Sequence, residues 1–534
     1  MAGERIYLYD TTLRDGAQTQ DVDFSVADKI AIAQDLDRLG IDYVEGGWPG
    51  ANPTDDRFFA EAPPLRRAVF TAFGMTRRPG RSAANDPQLV ALAQSNSRAV
   101  CMVGKTWDFH VDVALGIPRE ENLELIADSI AALKAAKGEA LFDAEHFFDG
   151  YKRNPAYAAA CIRAAFEAGA RWIVLCDTNG GTLPHEVEAI VRQVVEEHGI
   201  PGASLGIHCH NDTENAVANS LAAVRAGARM VQGTINGLGE RCGNANLVSL
   251  IPTLMLKMGF ETGVRHEDLP LLTEISRKFD ERLNRAPNRH APYVGASAFA
   301  HKGGLHVSAV EKDPSSYEHV APEAVGNRRQ IVMSDQAGRS NVIARLREIG
   351  LEVDPADPRL ARLLDLVKQR DTEGYAYDTA EASFELLVRR ELGDVPSYFE
   401  LLRFHVTDER RYNAVGALVV ESEAVVRVRV GSEVRLEVAE GNGPVHALDV
   451  AMRKALEPVY PLLGGVRLVD YRVRILAAKE GTGAMPRVLI RSRNGDGGEW
   501  STLGVSTNII EASMEALVDS YTFKLFKDGA SPRT

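Results

Sequence analysis

Two histidines separated by one residue, His208 and His210, are the strongest candidates for chemistry in the sequence. They follow an apolar run that predicts a β-strand, and side chains two positions apart on a strand point to the same side. Asp15, which follows the first predicted strand, could add a carboxylate, and Asn244 an amide oxygen. Such mixed ligands suit Mg²⁺, Mn²⁺, Zn²⁺ or Fe²⁺. An isolated HxH, by contrast, is more often a pair of histidines without a metal.

Three further polar residues could act beside such a metal. Arg14 directly precedes Asp15 and could stabilise an oxyanion, or could form a salt bridge that closes the end of a barrel. Glu145 is either a carboxylate with a perturbed pKa or a solvated loop residue. Thr178 could hold a substrate carboxylate or cap a helix.

The segment HKGGLH contributes His301 and His306, and Tyr317 follows it. A histidine beside two glycines is often only a loop residue. It could also close over a catalytic site and act as a general acid or base. The same two interpretations apply to Tyr317.

Eight short apolar runs alternate with amphipathic helical patterns in the first half of the chain. This pattern predicts a closed (β/α)8 barrel of parallel strands. An open doubly wound sheet is the alternative, but the GxGxxG phosphate loop that would favour it is absent after the first strand. The predicted strands are Arg5–Asp10, Ile41–Gly46, Ala68–Gly74, Ala99–Gly104, Glu139–Glu145, Arg171–Thr178, Ser204–His210 and Met230–Asn236.

The polar candidates come at the ends of these strands. Chemistry on such barrels takes place at the carboxyl ends of the strands, where the connecting loops meet. Asp15, Glu145, Thr178 and the two histidines therefore belong to one end of the predicted barrel.

We predict three domains and an α/β fold class. Residues 1–275 form the catalytic barrel, and residues 276–395 form a helical, loop-rich linker that contributes to the active site. Residues 396–534 contain strands followed by a helix, twice, which is typical of a separate α+β domain.

Composition excludes several classes of protein. A net charge of −13 disfavours nucleic acid and anionic lipid as partners. No apolar run is long enough to span a membrane, and the first residues have no secretory signal pattern. The five cysteines have no CxxC spacing, so we expect reduced thiols in a cytoplasmic enzyme.

Three segments carry a family resemblance: LYDTTLRDGAQ (Leu8–Gln18), HCHND (His208–Asp212) and NGLGERCGNANL (Asn236–Leu247). They resemble the signature segments of the DRE-TIM metallolyase superfamily. The segments Ala300–Arg329 and Val505–Leu525 are similar to those of its acetyl-CoA-dependent synthases of 2-isopropylmalate, homocitrate and citramalate. The resemblance covers essentially the whole chain.

The resemblance implies roles for the candidate residues. Asp15, His208 and His210 would bind a divalent metal (Mg, Mn or Zn), with Asn244 as a fourth ligand, and Arg14 would polarise a keto group.

The same resemblance implies that Thr178 holds the carboxylate of a 2-oxo acid. Glu145 and His306 would carry out the acid–base steps, with Tyr317 nearby.

The implied reaction joins acetyl-CoA to pyruvate. 2-Oxoisovalerate is the alternative acceptor, and bulk near Met75 and Val103 would exclude it. A lyase of the HMG-CoA type and an inactive amino-acid sensor are further alternatives. The resemblance also implies that residues 396–534 form a regulatory domain that binds isoleucine as an effector and makes a homodimer. The alternative is that this domain only dimerises the protein.

Overall fold

A computed structural model describes residues 4–62, 64–332, 339–354, 357–377, 379–412, 415–416, 418–476 and 484–533. The chain forms two compact units: Met1–Phe299 with Glu318–Arg329, and Ala300–Tyr317 with Gln330–Thr534. None of the helices in the described ranges has the length and apolarity needed to cross a membrane.

The first unit contains a closed barrel of eight strands, which confirms the predicted fold class. Every neighbouring pair is parallel, including β1 with β8. The strands are β1 (Tyr7–Asp10), β2 (Tyr43–Glu45), β3 (Val69–Met75), β4 (Ala99–Lys105), β5 (Ala140–Glu145), β6 (Trp172–Asp177), β7 (Leu205–Cys209) and β8 (Met230–Gly233).

Helices follow the strands and cover the barrel. The first begins at a capping box in which Ser25 and Asp28 bond each other's backbone N–H, and ends at Gly40 in a left-handed conformation. The helices of this unit are α1 (Val26–Leu39), α2 (Pro53–Glu61), α3 (Pro87–Gln94), α4 (Asp108–His110), α5 (Arg119–Lys137), α6 (Phe147–Arg153), α7 (Pro155–Glu167), α8 (Pro184–Glu197), α9 (Ala216–Arg225), α10 (Leu247–Pro252) and α11 (Leu271–Arg282).

The barrel has two apolar layers. A large cluster of aliphatic and aromatic side chains fills the space between strands and helices. A smaller cluster, which includes Tyr9, Trp172 and Met230, fills the barrel interior. Because both faces of each strand are buried, the strands read as continuous apolar runs, which is why the sequence identifies them.

In its described residues, the second unit contains helices, two antiparallel sheets and one short parallel pair of strands. Its first part consists of β9 (Ala300–His301), α12 (Gly304–Lys312), β10 (Gln330–Ile331), α13 (Arg339–Glu348), α14 (Arg359–Thr372) and α15 (Glu381–Leu392). Two three-stranded sheets follow, each ending in a helix: β11 (Glu400–Tyr412), β12 (Leu418–Val430), β13 (Glu433–Gly441) and α16 (Pro444–Leu456), then β14 (Arg467–Leu476), β15 (Met485–Arg493), β16 (Glu499–Val505) and α17 (Ile509–Lys527).

Strand β12 differs from the expectation of two short strands, because residues 418–421 of the run AVGALVVE and the whole run VVRVRV belong to one strand, while Val415 and Gly416 lie in the turn before it. Residues 414 and 417 of the first run lie outside the described residues. The polar residues between the runs do not interrupt the pairing, since the Ser422 hydroxyl donates to the Asp408 carboxylate on β11.

Candidate active site

Asp15, His208 and His210 meet at the carboxyl end of the barrel strands. One ligand atom of each lies within 4.8 Å of the others, and all three residues are buried. The two histidines come from the end of β7 and the aspartate from the loop after β1. The fold therefore brings these residues together, although Asp15 and the histidines are almost two hundred positions apart in the chain.

The electrostatics of this group suit a cation. Burial opposes ionisation of Asp15, but Arg14 and the two histidines outweigh it and hold the pKa of Asp15 at about 2. Burial, with the neighbouring His208, lowers the pKa of His210 to about 4. Burial also lowers the pKa of His208. At neutral pH the group is one carboxylate and two neutral imidazoles, the forms that bind metals.

A buried hydrogen-bond chain fixes the tautomer of His208. Gln232 Nε2 donates to Asp143 Oδ1 at 2.9 Å, so Gln232 Oε1 is the acceptor for His208 Nδ1, also at 2.9 Å. Nδ1 therefore carries the proton, and the lone pair of Nε2 faces Asp15 Oδ2 at 3.4 Å. Metal-binding histidines are commonly oriented in this way by a second polar residue.

Two buried polar atoms beside the group lack a partner. Among the described residues, neither His210 Nδ1 nor Asn244 Oδ1 has a hydrogen-bond partner. The Asn244 amide also donates to Asp15 Oδ2 at 2.5 Å. A buried polar atom without a hydrogen-bond partner costs free energy. These two atoms therefore fit a site in which a bound ligand supplies the missing partner. The donor set therefore fits a divalent metal.

Arg14 is held beside this group. Its Nε donates to Glu45 Oε2 at 2.6 Å, and Tyr9 donates its hydroxyl to Glu45 Oε1 at 2.8 Å. The guanidinium also lies over the Phe73 ring, 3.9 Å from its centroid, and 3.6 Å from Asp15. Burial lowers the pKa of Arg14, but the surrounding carboxylates outweigh it and raise the pKa, so the cation persists. Arg14 therefore also forms a salt bridge, with Glu45, which was the alternative role predicted for it.

Thr178 and Glu145 line the same cavity as Arg14. The Thr178 hydroxyl oxygen accepts from the His146 N–H at 2.9 Å, which leaves the hydroxyl proton available for an acceptor. Glu145 Oε2 lies 2.5 Å from Lys105 Nζ. Glu145 is thus ion-paired at the cavity wall, and it is not a freely solvated loop residue.

The cavity has a volume of about 290 Å³. Met75 and Val103 line it and are direct neighbours on β3 and β4. Trp48 and Phe73 add aromatic surface. The site therefore combines a charged floor with an apolar wall, as small-molecule sites usually do.

The two candidates from the linker lie in the second unit. His306 is on α12, and its ring lies 4.3 Å from the Tyr317 ring, centroid to centroid. The Tyr317 side chain is half exposed. The two residues form a pair, and their part in catalysis stays a prediction.

Sequence reasoning missed Lys105, Gln232 and Asp143. Lys105 directly follows the apolar run of the fourth predicted strand, so the rule that found the other residues would have found it. Asp143 is an acidic residue inside an apolar run, which signals a buried role. The role of Gln232 depends on contacts with residues 24 and 89 positions away, which no local pattern carries.

Three family models match successive segments of the chain. The family model described as HMGL-like matches residues 5–275, about half of the chain. The homocitrate synthase post-HMGL domain-like model matches residues 293–373. The model of the LeuA allosteric (dimerisation) domain matches residues 378–525.

Full-length relatives identify the family. The (R)-citramalate synthase of Aquifex aeolicus is 51% identical over 98% of this chain and 98% of its own. That of Geobacter sulfurreducens is also 51% identical, again with 98% of both chains covered. This chain belongs to the (R)-citramalate synthase family. A 2-isopropylmalate synthase of Carboxydothermus hydrogenoformans is 29% identical over 98% of both chains, so the citramalate synthase family is clearly the nearer of the two.

Proposed function

We propose that this protein condenses acetyl-CoA with pyruvate and hydrolyses the thioester to give (R)-citramalate and CoA. The observation that carries the proposal is the convergence of Asp15, His208, His210 and Arg14 on one cavity at the carboxyl end of the barrel. The names of the full-length relatives support pyruvate as the acceptor.

Asp15, His208 and His210 would hold the divalent metal, with Asn244 Oδ1 as a further ligand. A bound cation supplies Lewis acidity, which makes the keto carbon of a 2-oxo acid more electrophilic. Its identity as Mg²⁺, Mn²⁺ or Zn²⁺ is decided by titration of the metal-free protein.

Arg14 and Thr178 orient the 2-oxo acid. Arg14 lines the cavity, and a fixed cation beside the keto oxygen would lower the barrier by stabilising the negative charge that develops there when the carbon–carbon bond forms. The Thr178 hydroxyl donates to the carboxylate, because its oxygen already accepts from the His146 N–H.

Proton transfer is assigned to three residues. The methyl proton of acetyl-CoA goes to Glu145 or His306, and the resulting enolate attacks the keto carbon. Tyr317, whose ring contacts that of His306, takes part in the same step. Separate variants Glu145→Gln and His306→Asn distinguish the two candidate bases, because only loss of the base lowers kcat without a matching change in KM.

Met75 and Val103 set the size of the acceptor. They face the cavity where the methyl group of pyruvate or the isopropyl group of 2-oxoisovalerate would lie. The isopropyl group is larger by two methylenes, each worth about 0.8 kcal/mol of burial, so contact with these side chains must supply the exclusion.

The second unit is proposed to bind isoleucine and to dimerise, in keeping with its match to an allosteric (dimerisation) domain. Isoleucine is expected to lower turnover, with leucine as the comparison. We assign the protein to the cytoplasm, where thiols stay reduced, and its five cysteines are free.

The deciding experiment for the reaction is product identification. Purified protein with Mg²⁺ or Mn²⁺, acetyl-CoA and pyruvate should release free thiol, and chiral chromatography should identify (R)-citramalate. An inactive sensor would release no thiol. A lyase would instead cleave the CoA ester of a hydroxy acid and leave acetyl-CoA with pyruvate unreacted.

A further inference from the structure

A second cavity adjoins the active-site cavity in the barrel unit. It has a volume of about 420 Å³, and Trp48 and Met75 line both cavities. Its walls come from the loops after β2 and β3, from α3 and from α5. A ligand can therefore extend from one cavity into the other without leaving the protein surface.

The lining of this second cavity combines apolar surface with cations. Pro49, Ala51, Pro79 and Leu115 contribute apolar walls, and the segment Arg77–Arg78 contributes two guanidinium groups. In a chain with a net charge of −13, an arginine on a cavity wall without a carboxylate partner favours an anionic ligand.

The two arginines have different surroundings. Arg77 is 10% exposed and is neutralised by Asp128, at 2.6 Å. Arg78 is exposed, and among the described residues no carboxylate pairs with its guanidinium. Its backbone N–H donates to the buried Asp86 carboxylate at 2.9 Å, which fixes the position of the residue while leaving the side chain free.

We infer that this second cavity receives the pantetheine arm of acetyl-CoA and that Arg78 binds the phosphates of its nucleotide. The inference rests on the proposed function and names the residues that recognise the cosubstrate. The arm is long and thin, and its methylene and dimethyl groups fit the apolar walls. The nucleotide ends in phosphates, which arginine binds through two parallel hydrogen bonds. Arg77 holds the loop, and Arg78 contacts the ligand.

The test compares acetyl-CoA with S-acetylpantetheine, which lacks the nucleotide. Arg78→Ala should raise the KM for acetyl-CoA about tenfold, the effect of losing one hydrogen bond to a charged group. The KM for pyruvate should stay as in the wild type. With S-acetylpantetheine the wild type and the variant should be alike, and Arg78→Lys should recover part of the loss.

Arg66→Ala is the matched control. Arg66 is also exposed, but it precedes β3 and lies at the opposite end of that strand from Arg78. The control substitution therefore removes the same charge at a position far from both cavities. The KM for acetyl-CoA should also rise with salt in the wild type and less steeply in Arg78→Ala, because screening weakens exposed charge pairs.

Direct titration separates this inference from the proposed reaction. The dissociation constants of CoA and of pantetheine are measured by calorimetry for the wild type and Arg78→Ala. A preference for CoA that depends on Arg78 supports the inference even if no thiol is released in the turnover assay. An unchanged affinity for CoA in Arg78→Ala, or an equal loss of affinity for CoA and pantetheine, overturns it.

Discussion

At the scale of single residues, the ability of the site to bind a cation depends on the protonation states of its buried side chains. Asp15 stays ionised because the Arg14 cation faces it and the Asn244 amide donates to it, and burial keeps His210 neutral. The protein therefore presents its donor atoms in the form that binds a cation before any cation arrives. Neighbouring residues that are not themselves ligands must keep these donor atoms in place. The most important of them is Gln232, which accepts a hydrogen bond from His208 Nδ1.

Gln232→Met is expected to weaken metal binding about 10–100-fold, the usual cost of losing a residue that orients a ligand. Methionine has a similar volume but cannot accept from His208 Nδ1, so the imidazole loses its fixed tautomer. Calorimetric titration of the metal-free protein with Mn²⁺ measures the change. Gln94→Met, on the exposed side of α3, is the control. Equal Mn²⁺ affinities of Gln232→Met and the wild type would show that Gln232 does not support metal binding.

Asp10 gives stability a dependence on pH. Burial raises the pKa of Asp10 from 3.8 to about 7, against the opposing hydrogen bonds from Thr12. A raised pKa means that the folded state binds the proton more tightly. The contribution of protonated Asp10 is therefore complete below pH 3.8 and is lost as the pH rises through about 7.

Asp10→Asn removes this dependence. The variant and the wild type should differ least near pH 4, and the variant should gain in relative stability as the pH rises towards 7. Urea unfolding across this range measures the difference. A difference that stays constant with pH would mean that Asp10 is ionised throughout.

At the scale of elements, the barrel positions the site through the loops after its strands. The loop between β8 and α10 contains Gly243, whose φ is +94°. An added Cβ would lie 2.0 Å from the Gly237 carbonyl oxygen. Asn244 follows directly, so the course of this loop decides where its amide points.

Gly243→Ala is expected to displace Asn244 and to lower metal affinity and turnover together, at a cost to stability of about 1–3 kcal/mol. Thermal unfolding with and without Mn²⁺ measures both effects, because a weaker site gives a smaller stabilisation by the metal. Gly181→Ala is the control, since a Cβ there meets no atom within 4 Å. Wild-type metal stabilisation in Gly243→Ala would contradict this role of the loop.

Much of the barrel follows from the sequence because each strand is buried on both faces. The helix Pro444–Leu456 also has its predicted bounds, since proline starts it and its apolar positions recur with helical period. Asp15, His208 and His210 were predictable because they end strands of one barrel. The pairing of Lys105 with Glu145 and of Gln232 with Asp143 was not, because those contacts depend on which side chains the closed barrel brings together.

At the scale of the whole molecule, the second unit leaves an apolar sheet face exposed. Val434, Leu436 and Val438 alternate along β13 and are exposed by 43%, 63% and 44%. The opposite face of the sheet packs in the core with α16. Since the family model for this region is a dimerisation domain, a second copy of the chain is the proposed partner for the exposed face.

Leu436→Asp is expected to convert dimers to monomers, because it places a charge on the face that would be buried between copies. Size-exclusion chromatography with light scattering measures the mass. Leu462→Asp, an exposed leucine outside the sheets, should leave the mass unchanged. A monomeric wild type would contradict dimerisation, and a dimeric Leu436→Asp variant would place the contact elsewhere.

The central claim is that the cavity beside Asp15, His208 and His210 joins acetyl-CoA to pyruvate. The most direct measurement is kcat/KM for pyruvate against 2-oxoisovalerate, followed by release of CoA thiol at saturating acetyl-CoA. We expect pyruvate to be preferred by at least about tenfold, because steric contact with Met75 and Val103 must outweigh the roughly tenfold advantage that burial of two extra methylenes would give 2-oxoisovalerate. Equal values, or a preference for 2-oxoisovalerate, would contradict the assignment of pyruvate as the acceptor.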